Sequence, residues 1–419
     1  MRSIELFAGA GGLALGTSRA GFQHLAVLDW DSDACRTIRK NRNQGFESAK
    51  DWNVIEEDVS KHDFAQYKGK ADFVFGGPPC QPFSLGGKHR GHEDERNMFP
   101  EAVRAVREIR PVAFMFENVK GLLRQGFANY YNYIIHQLRF PTVRRRGDEE
   151  WIDHLARLEK LHTKGAFGGL HYNVVYRMLD AADYGVPQHR ERVLIVGVRS
   201  DLGIEFHFPE PTHEGDALLY DKWVSGEYWE RHRVPRARLP SVPESLKARV
   251  AGLNALWNSA MLKPWRTVRD AISDLPKIAV GQASSKVANH FLNPGARSYP
   301  GHTGSPLDEP AKALKAGDHG VPGGENTLRL EDGSVRYFSV RECARLQTFP
   351  DEWVFEGSWT ESMRQLGNAV PAALAEVVAR KLKDVVSRRD ASLAGKRGLL
   401  AEALRAQIGR YGQSLSKET

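Results

Sequence analysis

Apolar and polar positions alternate along the first half of the chain in the rhythm of strands and helices. Short apolar runs, separated by helical patterns, cover residues 4–7, 25–28, 73–75, 112–116, 172–178 and 193–198. Strands that alternate with helices are typical of a parallel sheet. Because the last two runs follow each other closely, they favour an antiparallel hairpin at the sheet edge. We therefore predict an α/β fold with a mostly parallel, mixed sheet.

The pattern is interrupted between residues 140 and 169. Arg144-Arg145-Arg146 there precede a helical stripe formed by Trp151, Leu155, Leu158 and Leu161, which predicts an inserted arm. A solvated basic loop followed by a packed surface helix is a better interpretation of this insert than a dedicated nucleic-acid contact.

A larger change in composition begins at residue 205. Pro, Gly, Trp and His become frequent and periodicity is poor through to residue 336, and the helical pattern returns at residues 339–349. We predict a first domain over residues 1–204, a smaller loop-rich domain over 205–336, and a return segment over 337–419 that completes the first domain. A helix over residues 372–386 should pack beside the helix that follows the first strand. The basic tail beyond it suits a nucleic-acid contact and a solvated terminal helix equally well.

The composition of the 419 residues narrows the class of protein. Hydrophobic residues make up 41% and charged residues 26%, as in ordinary globular proteins. No stretch approaches the roughly 18 apolar residues of a membrane span, and the first apolar run carries Glu5, so we expect no membrane contact, no signal peptide and a cytoplasmic location. Cys35, Cys80 and Cys343 are too scattered for a disulfide framework or a zinc site, so no metal is expected. A net charge of +7 permits a polyanionic partner without requiring one.

A glycine-rich segment, Phe7 to Gly12, follows the first strand and opens a helix. Glycines there permit a tight turn and a close backbone approach to a ligand, although a purely structural turn fits the pattern equally well. Asp29 ends the next strand, where it can accept hydrogen bonds from ribose hydroxyls, and Trp30 can stack on adenine. Asp58, after the third strand, can bind the adenine amino group. Acids after two successive strands indicate an adenosyl cofactor, with helix-capping aspartates as the alternative.

The apolar run at residues 73–75 leads into the turn Gly76-Gly77-Pro78-Pro79-Cys80. Prolines restrict the direction of the chain, and open α/β sheets bind ligands at the carboxyl ends of their strands. We therefore interpret Cys80 as a nucleophile and not as a buried, inert thiol.

Two charged segments lie near other strand ends. Phe116-Glu117-Asn118-Val119 follows one buried strand, and Gln188 to Arg192 precedes the last. In isolation, Glu117 is compatible with a helix cap and Arg192 with a surface cation. Together with Cys80, both are better interpreted as parts of a reaction site.

These segments occur in a distinctive order with two later ones. The order is Phe7 to Gly12, Pro78-Pro79-Cys80, Glu117-Asn118-Val119, Gln188 to Arg192, Arg341-Glu342-Cys343-Ala344-Arg345-Leu346-Gln347 and Gln365-Leu366-Gly367-Asn368. The order resembles that of the DNA cytosine-5 methyltransferase family over nearly the whole chain, apart from the insert, the loop-rich domain and the tail after Leu382. The resemblance implies the class I S-adenosylmethionine-dependent methyltransferase fold, which is Rossmann-like.

The resemblance also implies a mechanism. Cys80 adds to C6 of cytosine, and Glu117 hydrogen-bonds the N3 and amino edge. C5 then takes the methyl group of S-adenosylmethionine, which leaves as S-adenosylhomocysteine, and loss of the C5 proton expels the thiolate. Arg192 is expected at the cytosine O2 and Arg190 in support of the site or at a phosphate, and on the sequence alone the two roles are interchangeable.

The resemblance assigns a set of residues to the cofactor pocket. They are Phe7, Gly9, Gly11, Gly12, Asp29, Trp30, Asp58, Val59, Pro78, Met98, Asn368 and Val370. Asp29 stands where the family more often has glutamate, and Met98 where it usually has leucine; both replacements keep the chemistry.

A base inside a duplex cannot present C6 to a cysteine, so the target must be flipped out. The segment over residues 81–96 resembles a loop that closes over the flipped base, with Gln81, Ser84, Lys88 and Arg90 as candidate DNA contacts. A disordered loop without this role is the alternative. The loop-rich domain is then the target-recognition domain, although no motif ties any of its residues to a base.

The predicted partner is double-stranded DNA, methylated by a monomer in a bacterial or phage-infected cell. The expected setting is a restriction-modification system, whose cognate endonuclease acts on the same site without a stable complex. A tRNA cytosine-5 methyltransferase is one alternative, disfavoured by the length of the loop-rich domain. A non-catalytic DNA-binding regulator is another. Intact Cys80, Glu117 and Arg192 disfavour it, and a first strand that begins near Ser3 is expected to leave no place for an amino-terminal helix-turn-helix.

Overall fold

A computed structural model describes residues 1–79, 97–165, 167–253, 262–298, 303–316, 326–330 and 332–389. The predicted nucleophile and the predicted DNA contacts, Cys80, Gln81, Ser84, Lys88 and Arg90, lie outside the described residues, as does the whole of segment 81–96. Within the described ranges, no helix has both the length and the apolar character needed to span a bilayer.

One seven-stranded sheet organises the described part of the chain. Its strands are β1 Arg2–Leu6, β2 Gln23–Asp29, β3 Val54–Glu56, β4 Phe73–Gly76, β5 Ala113–Val119, β6 Tyr172–Asp180 and β7 Glu191–Arg199. Their order is β3-β2-β1-β4-β5-β7-β6, and β7 runs antiparallel to both of its neighbours. The predicted α/β fold with a mostly parallel, mixed sheet is therefore confirmed.

The fifth strand is longer than its apolar run predicted. β5 continues from Phe116 through Val119, so Glu117 lies within the strand and not after it. The polar side chains of Glu117 and Asn118 end the apolar pattern, but backbone pairing continues, with Glu117 opposite Leu194 and Val119 opposite Arg192. The two candidate catalytic side chains thus lie on adjacent strands.

Helices cover both faces of this sheet. The first five are α1 Gly12–Arg19, α2 Ser32–Asn43, α3 Phe99–Ile109, α4 Ala128–Arg139 and α5 Trp151–Lys164, and a return helix covers residues 372–389. Successive strand residues point to opposite faces. In β4, Val74 therefore packs in the core formed with α3 and α4, whereas Phe73 and Phe75 pack in the core formed with α1 and the return helix.

The return helix lies close against α1. A Cβ atom on Gly16 of α1 would lie 2.5 Å from Cβ of Ala375, which no larger residue could accommodate. The predicted packing of this helix beside the first helix is confirmed. The helix predicted in the insert is also present, because α5 buries Leu155 and Leu158 in the core that contains α4.

Residues 205–336 contain short elements. They are β8 His213–Glu214, α6 Gly215–Trp223, α7 Glu227–Arg231, α8 Lys247–Gly252, β9 Lys263–Pro264, α9 Val268–Ile272, β10 Thr327–Arg329 and the beginning of β11 Val335–Tyr337, and α10 Val340–Leu346 and α11 Trp359–Asn368 follow. A small core forms around Leu218, Tyr228 and Trp229. Leu314 and Leu328 instead pack in a core shared with α10 and α11, so the loop-rich region is anchored to the return segment.

Candidate active site

A buried ion pair joins the two strands at the carboxyl end of β5. Arg192 Nε lies 2.6 Å from Oε1 of Glu117, and the two side chains are only 12% and 9% exposed. Burial raises the pKa of Glu117, and the charges of Arg192 and Arg190 only partly oppose that effect. A carboxyl group with a raised pKa beside a fixed cation is suited to passing a proton to a ring that gains negative charge.

The turn that leads toward Cys80 lies against this pair. A Cβ atom on Gly77 would lie 3.2 Å from Oε2 of Glu117, so the glycine leaves room for the carboxylate. Asn118 Nδ2 donates a hydrogen bond to the carbonyl oxygen of Pro78 at 2.9 Å. The sequence analysis assigned no role to Asn118. The feature that could have indicated one is an amide side chain at the end of a buried strand, where a polar group needs a hydrogen-bond partner. The structure thus brings the Glu117 segment and the Pro78 turn together.

The two arginines before and in β7 have different surroundings. Arg190 is 1% exposed, and it donates hydrogen bonds to the carbonyl oxygens of Leu314 at 2.9 Å and Gly367 at 2.6 Å. A guanidinium buried in this way cannot reach a DNA phosphate, so that part of the prediction for Arg190 is wrong. The roles are also not interchangeable in this geometry, because the side chain that pairs with Glu117 is that of Arg192. The hydrogen bonds of Arg190 instead connect the sheet to the return segment.

Gln188 makes the same connection from two residues earlier. Its Oε1 accepts a hydrogen bond from the backbone N–H of Leu314 at 2.9 Å, and its Nε2 donates to the carbonyl oxygen of Leu346 at 3.2 Å. Gln188 and Arg190 therefore both turn toward the later part of the chain. The sequence carried no signal for this role, since the partners are backbone groups.

The glycine-rich loop and the end of β2 form a second part of the site. Phe7, Gly9 and Gly11 all have positive φ, and Gly9 donates its backbone N–H to Oδ2 of Asp29 at 2.7 Å. Asp29 Oδ1 accepts from the N–H of Asp31 at 2.8 Å. Burial raises the pKa of Asp29 despite these hydrogen bonds. The acid thus ties the loop to the strand end at the edge where a nucleotide-like ligand is expected.

Trp30, the next residue, is 77% exposed. An indole left in solvent at a strand end offers a flat surface for an aromatic ring. A Cβ atom on Gly9 would meet nothing within 4 Å, so there is open space beside this loop. A buried acceptor, an exposed indole and an open loop fit an adenosyl group.

Asp58 and Val59 follow β3. Asp58 caps a short 3₁₀ helix, Val59–Lys61, by accepting a hydrogen bond from the N–H of Ser60 at 2.9 Å, which lowers the pKa of Asp58. The capping alternative is thus realised for Asp58. Val59 is buried beneath this turn.

Most of the remaining predicted pocket residues are packed against other parts of the chain, and one is exposed. A Cβ atom on Gly12 would overlap the carbonyl oxygen of Val370, and one on Gly11 would lie 3.3 Å from the rings of Trp52 and Trp353. These two glycines therefore permit close packing of the loop. Val370 is buried, while Asn368 ends α11 with its side chain exposed.

Pro78 and Met98 lie on either side of the undescribed segment. Pro78 is buried, and the backbone N–H of Met98 donates a long hydrogen bond, 3.4 Å, to the carbonyl oxygen of Pro79. Met98 and Phe7 both pack against the core on the α3 side of the sheet. Pro79 and Met98 thus lie next to each other.

Known proteins share both the sequence pattern and the fold. A family model for C-5 cytosine-specific DNA methylases matches residues 1–140 and 153–384. The Type II methyltransferase M.Eco47II of Escherichia coli is 35% identical over 393 residues, which are 92% of this chain and 80% of that protein. The Type II methyltransferase M.NgoMIV of Neisseria gonorrhoeae is 35% identical over 384 residues, 91% of this chain and 96% of that protein.

Solved structures agree on the fold. A DNA modification methyltransferase encoded within an E. coli prophage superimposes with a TM-score of 0.57 at 21% identity, covering 92% of this chain and 99% of the other. The S. pombe Dnmt2 methyltransferase superimposes with a TM-score of 0.51 at 16% identity, covering 93% and 99%.

The mixed sheet, with its glycine loop after β1 and the acid at the end of β2, defines the class I S-adenosylmethionine-dependent methyltransferase fold. Within this class, the chain belongs to the family of C-5 cytosine-specific DNA methylases. It is a DNA (cytosine-5)-methyltransferase.

Proposed function

We propose that this enzyme methylates C5 of a cytosine that is flipped out of a specific sequence in duplex DNA, through a covalent bond between Cys80 and C6. The observation that carries the proposal is the buried Glu117–Arg192 pair against the Gly77-Pro78 turn, three residues before the thiol. An acid, a cation and a nucleophile are the groups that activation of a cytosine ring requires.

Cytosine C5 becomes nucleophilic only after addition at C6. The Cys80 thiolate forms the S–C6 bond, and the displaced electron pair moves negative charge toward N3 and O2 of the ring. Glu117, whose pKa is raised by burial, donates a proton to N3. The Arg192 guanidinium faces the charge at O2. The ring is then an enamine with electron density at C5.

S-adenosylmethionine, when bound, supplies an electrophilic methyl group and leaves as S-adenosylhomocysteine. C5 forms the new carbon–carbon bond, and its proton departs to water. The electron pair of the C5–H bond restores the C5–C6 double bond, the S–C6 bond breaks, and Cys80 is released as thiolate. Glu117 recovers the N3 proton, so the protein ends the cycle unchanged.

For the cofactor, we propose that Asp29 accepts the ribose hydroxyls and that Trp30 stacks on the adenine. Both roles use observed features, a buried carboxylate and an indole that is 77% exposed. Asp58 and Val59 hold the other side of the base. The rest of the pocket is formed by Phe7, Gly9, Gly11, Gly12, Pro78, Met98, Asn368 and Val370.

We propose residues 205–336 as the target-recognition domain and a monomer as the working unit. Since each strand of a symmetric site can be methylated in turn, one copy is sufficient. The relatives named Type II methyltransferases support a role in restriction-modification. The cognate endonuclease would act on the same sequence without forming a stable complex.

The proposal is tested by transfer of a tritiated methyl group from S-adenosylmethionine into mixed-sequence duplex DNA, followed by base analysis. Wild type should yield labelled 5-methylcytosine and Cys80→Ala none. Cys343→Ala is the matched control, because Cys343 is a free, buried thiol in α10 and should be dispensable. Label in tRNA but not in DNA would replace the proposed substrate, and label from Cys80→Ala would reject the nucleophile.

A further inference from the structure

A surface cavity of about 240 Å³ lies between α3, the end of α4 and the segment that follows α4. Its wall includes Val103 of α3, Gln137 of α4, and Pro141 and Val143 of the following segment. The outer part of this wall falls within residues 141–152, which the family model does not match. The cavity is therefore built partly from sequence that lies outside the family pattern.

The cavity lies apart from the reaction site. α3 begins at Phe99, next to the Pro79 end of the turn, and runs toward Ile109. Arg107 lies eight residues along this helix from Phe99, which is about 12 Å at the usual rise. None of the residues that line the cavity belongs to the candidate active site.

Four arginines line the cavity: Arg104, Arg107, Arg144 and Arg145. Arg104 already has its partners. It contacts the Glu101 carboxylate, which also lines the cavity, at 2.6 Å, and it donates to the carbonyl oxygens of Val59 at 2.6 Å and His62 at 2.9 Å. This guanidinium contributes positive charge but few free donors.

Arg107 has an unmet donor. Its Nε is buried and has no hydrogen-bond partner among the described residues, and its Nη2 lies 4.0 Å from Oε1 of Glu108. Burial lowers the pKa of Arg107, the neighbouring charges of Arg144 and Arg104 lower it further, and the charges of Glu108 and Glu101 oppose this shift only in part. An anion in the cavity would relieve this repulsion.

The later segment supplies two further cations. Within the described part of the chain, the Arg144 side chain has no acidic partner at ion-pair distance, and the Nε of Arg145 donates to a backbone carbonyl, that of Glu149, at 2.5 Å. The Glu149 carboxylate is occupied by Arg157, at 2.8 and 2.7 Å. The nearby acid therefore does not neutralise the cavity.

We propose that this cavity binds a phosphate group, held by Arg107, Arg144 and Arg145. Planar guanidinium groups bind phosphate oxygens in pairs, and four arginines line this cavity against one carboxylate, Glu101, which Arg104 already contacts, so the excess positive charge favours an anion. The volume is below the roughly 300 Å³ at which pockets for drug-sized organic ligands begin, which favours a phosphate group over a larger anion. The phosphate belongs either to a free phosphate or small phosphate ester, or to the backbone of duplex DNA outside the target.

Titration calorimetry of the full chain with potassium phosphate, against chloride at equal ionic strength, tests the proposal. Wild type should bind phosphate saturably at one site, and the Kd should rise about tenfold in Arg107→Gln and in Arg144→Gln, since each removes a charge-assisted hydrogen bond. Arg144→Gln changes an exposed residue and keeps the test valid if Arg107→Gln does not fold. Arg146→Gln is the matched control, because Arg146 is the exposed third arginine of the same run and does not line the cavity.

A second arm distinguishes the two sources of the phosphate. If the DNA backbone is the ligand, a target-free duplex should bind Arg144→Gln more weakly than Arg146→Gln, and added phosphate should compete. If a free phosphate or its ester is the ligand, duplex binding should be the same in both variants. Absence of saturable phosphate binding by wild type, or equal Kd values in wild type and Arg144→Gln, would overturn the proposal.

Discussion

A buried acid and a partly exposed acid in different regions of this enzyme show how desolvation and hydrogen bonding compete. At the sheet edge, burial raises the pKa of Glu117 even though Arg192 lies 2.6 Å away. In the loop-rich region, the Asp308 side chain is 26% exposed, and hydrogen bonds from Arg269 and Tyr228 outweigh its partial desolvation and lower the pKa of Asp308. The surroundings therefore favour the neutral form of Glu117 and the charged form of Asp308.

The difference follows from what holds each region together. Glu117 is positioned by backbone pairing between β5 and β7, and its carboxylate pairs with Arg192 on the neighbouring strand. The loop-rich region has only a small apolar core around Leu218, Tyr228 and Trp229, and polar contacts stabilise it instead. Tyr228 donates to Oδ1 of Asp308 at 2.7 Å, and Arg269 contacts the same carboxylate at 2.5 and 3.1 Å. The sheet thus places Glu117 through its backbone, whereas the loop-rich region uses the Asp308 carboxylate for structure.

The largest expected effect comes from Glu117→Gln. The amide keeps the shape but cannot pass a proton to N3, so methyl transfer should fall about 10²- to 10⁴-fold. Glu191→Gln is the control, because Glu191 lies in the same strand segment as Arg192 but forms an exposed pair with Lys120. Single-turnover rates on duplex DNA measure both. A Glu117→Gln rate close to that of Glu191→Gln would contradict the distinction between the two acids.

The second effect concerns Arg190, which connects the two regions. Arg190→Gln should lower the free energy of unfolding by about 3 kcal/mol, because two buried carbonyl oxygens lose a charged donor. Chemical denaturation measures the loss. Because the charge of Arg190 lowers the pKa of Glu117, the pH profile of methyl transfer by the surviving folded fraction should shift toward higher pH. A loss of methyl transfer with unchanged stability would instead indicate direct contact with substrate.

The third effect has opposite signs in the two regions. The lowered pKa of Asp308 provides stability that is present above the pKa of the unfolded chain and is lost as pH falls through the folded value. Asp308→Asn should therefore lower the free energy of unfolding by about 2 kcal/mol near neutral pH and by progressively less in acid.

Glu117 should show the opposite pH dependence. Its raised pKa provides stability that is present below the pKa of the unfolded chain and is lost as pH rises through the folded value. The free energy of unfolding of Glu117→Gln, relative to that of wild type, should thus be highest near neutral pH. Unfolding free energies across a pH series test both signs, and parallel curves would remove the contrast.

The smallest effect is that of Tyr228→Phe. The change removes one hydroxyl that bonds Asp308 and Thr267 while the buried ring remains, so the loss of stability should be about 1 kcal/mol. The rate of methyl transfer at saturating DNA should not change. A drop in that rate without a drop in melting temperature would assign Tyr228 to recognition or catalysis.

The sheet was predictable because its apolar runs are short, regular and separated by helical patterns. The end of β5 was not, since Glu117 and Asn118 are polar and their strand pairing depends on β7, some 70 residues later. Glu117 and Arg192 were predicted as site residues from their positions near strand ends together with Cys80, and their roles were predicted from a family resemblance. One of the two roles predicted for Arg190, binding a phosphate, was wrong. The sequence could not reveal its actual partners, because they are backbone carbonyl oxygens and every residue has one.

The loop-rich region was the least predictable. Its short helices are held by pairs such as Arg269 and Asp308, which lie far apart in the sequence and have no periodicity. A pattern-based prediction detects where an apolar face lies, but it does not detect which acid will meet which base across a loop.

The central claim is that Cys80 attacks C6 of cytosine beside the Glu117–Arg192 pair. It is tested most directly by incubating the enzyme and S-adenosylmethionine with a mixed-sequence duplex in which 5-fluorocytosine replaces cytosine, followed by denaturing electrophoresis. Fluorine cannot leave C5 as a proton does, so the S–C6 bond should persist. Wild type and Cys343→Ala should give a protein–DNA band that survives denaturation, and Cys80→Ala should give none. A band of equal intensity from Cys80→Ala would contradict the account.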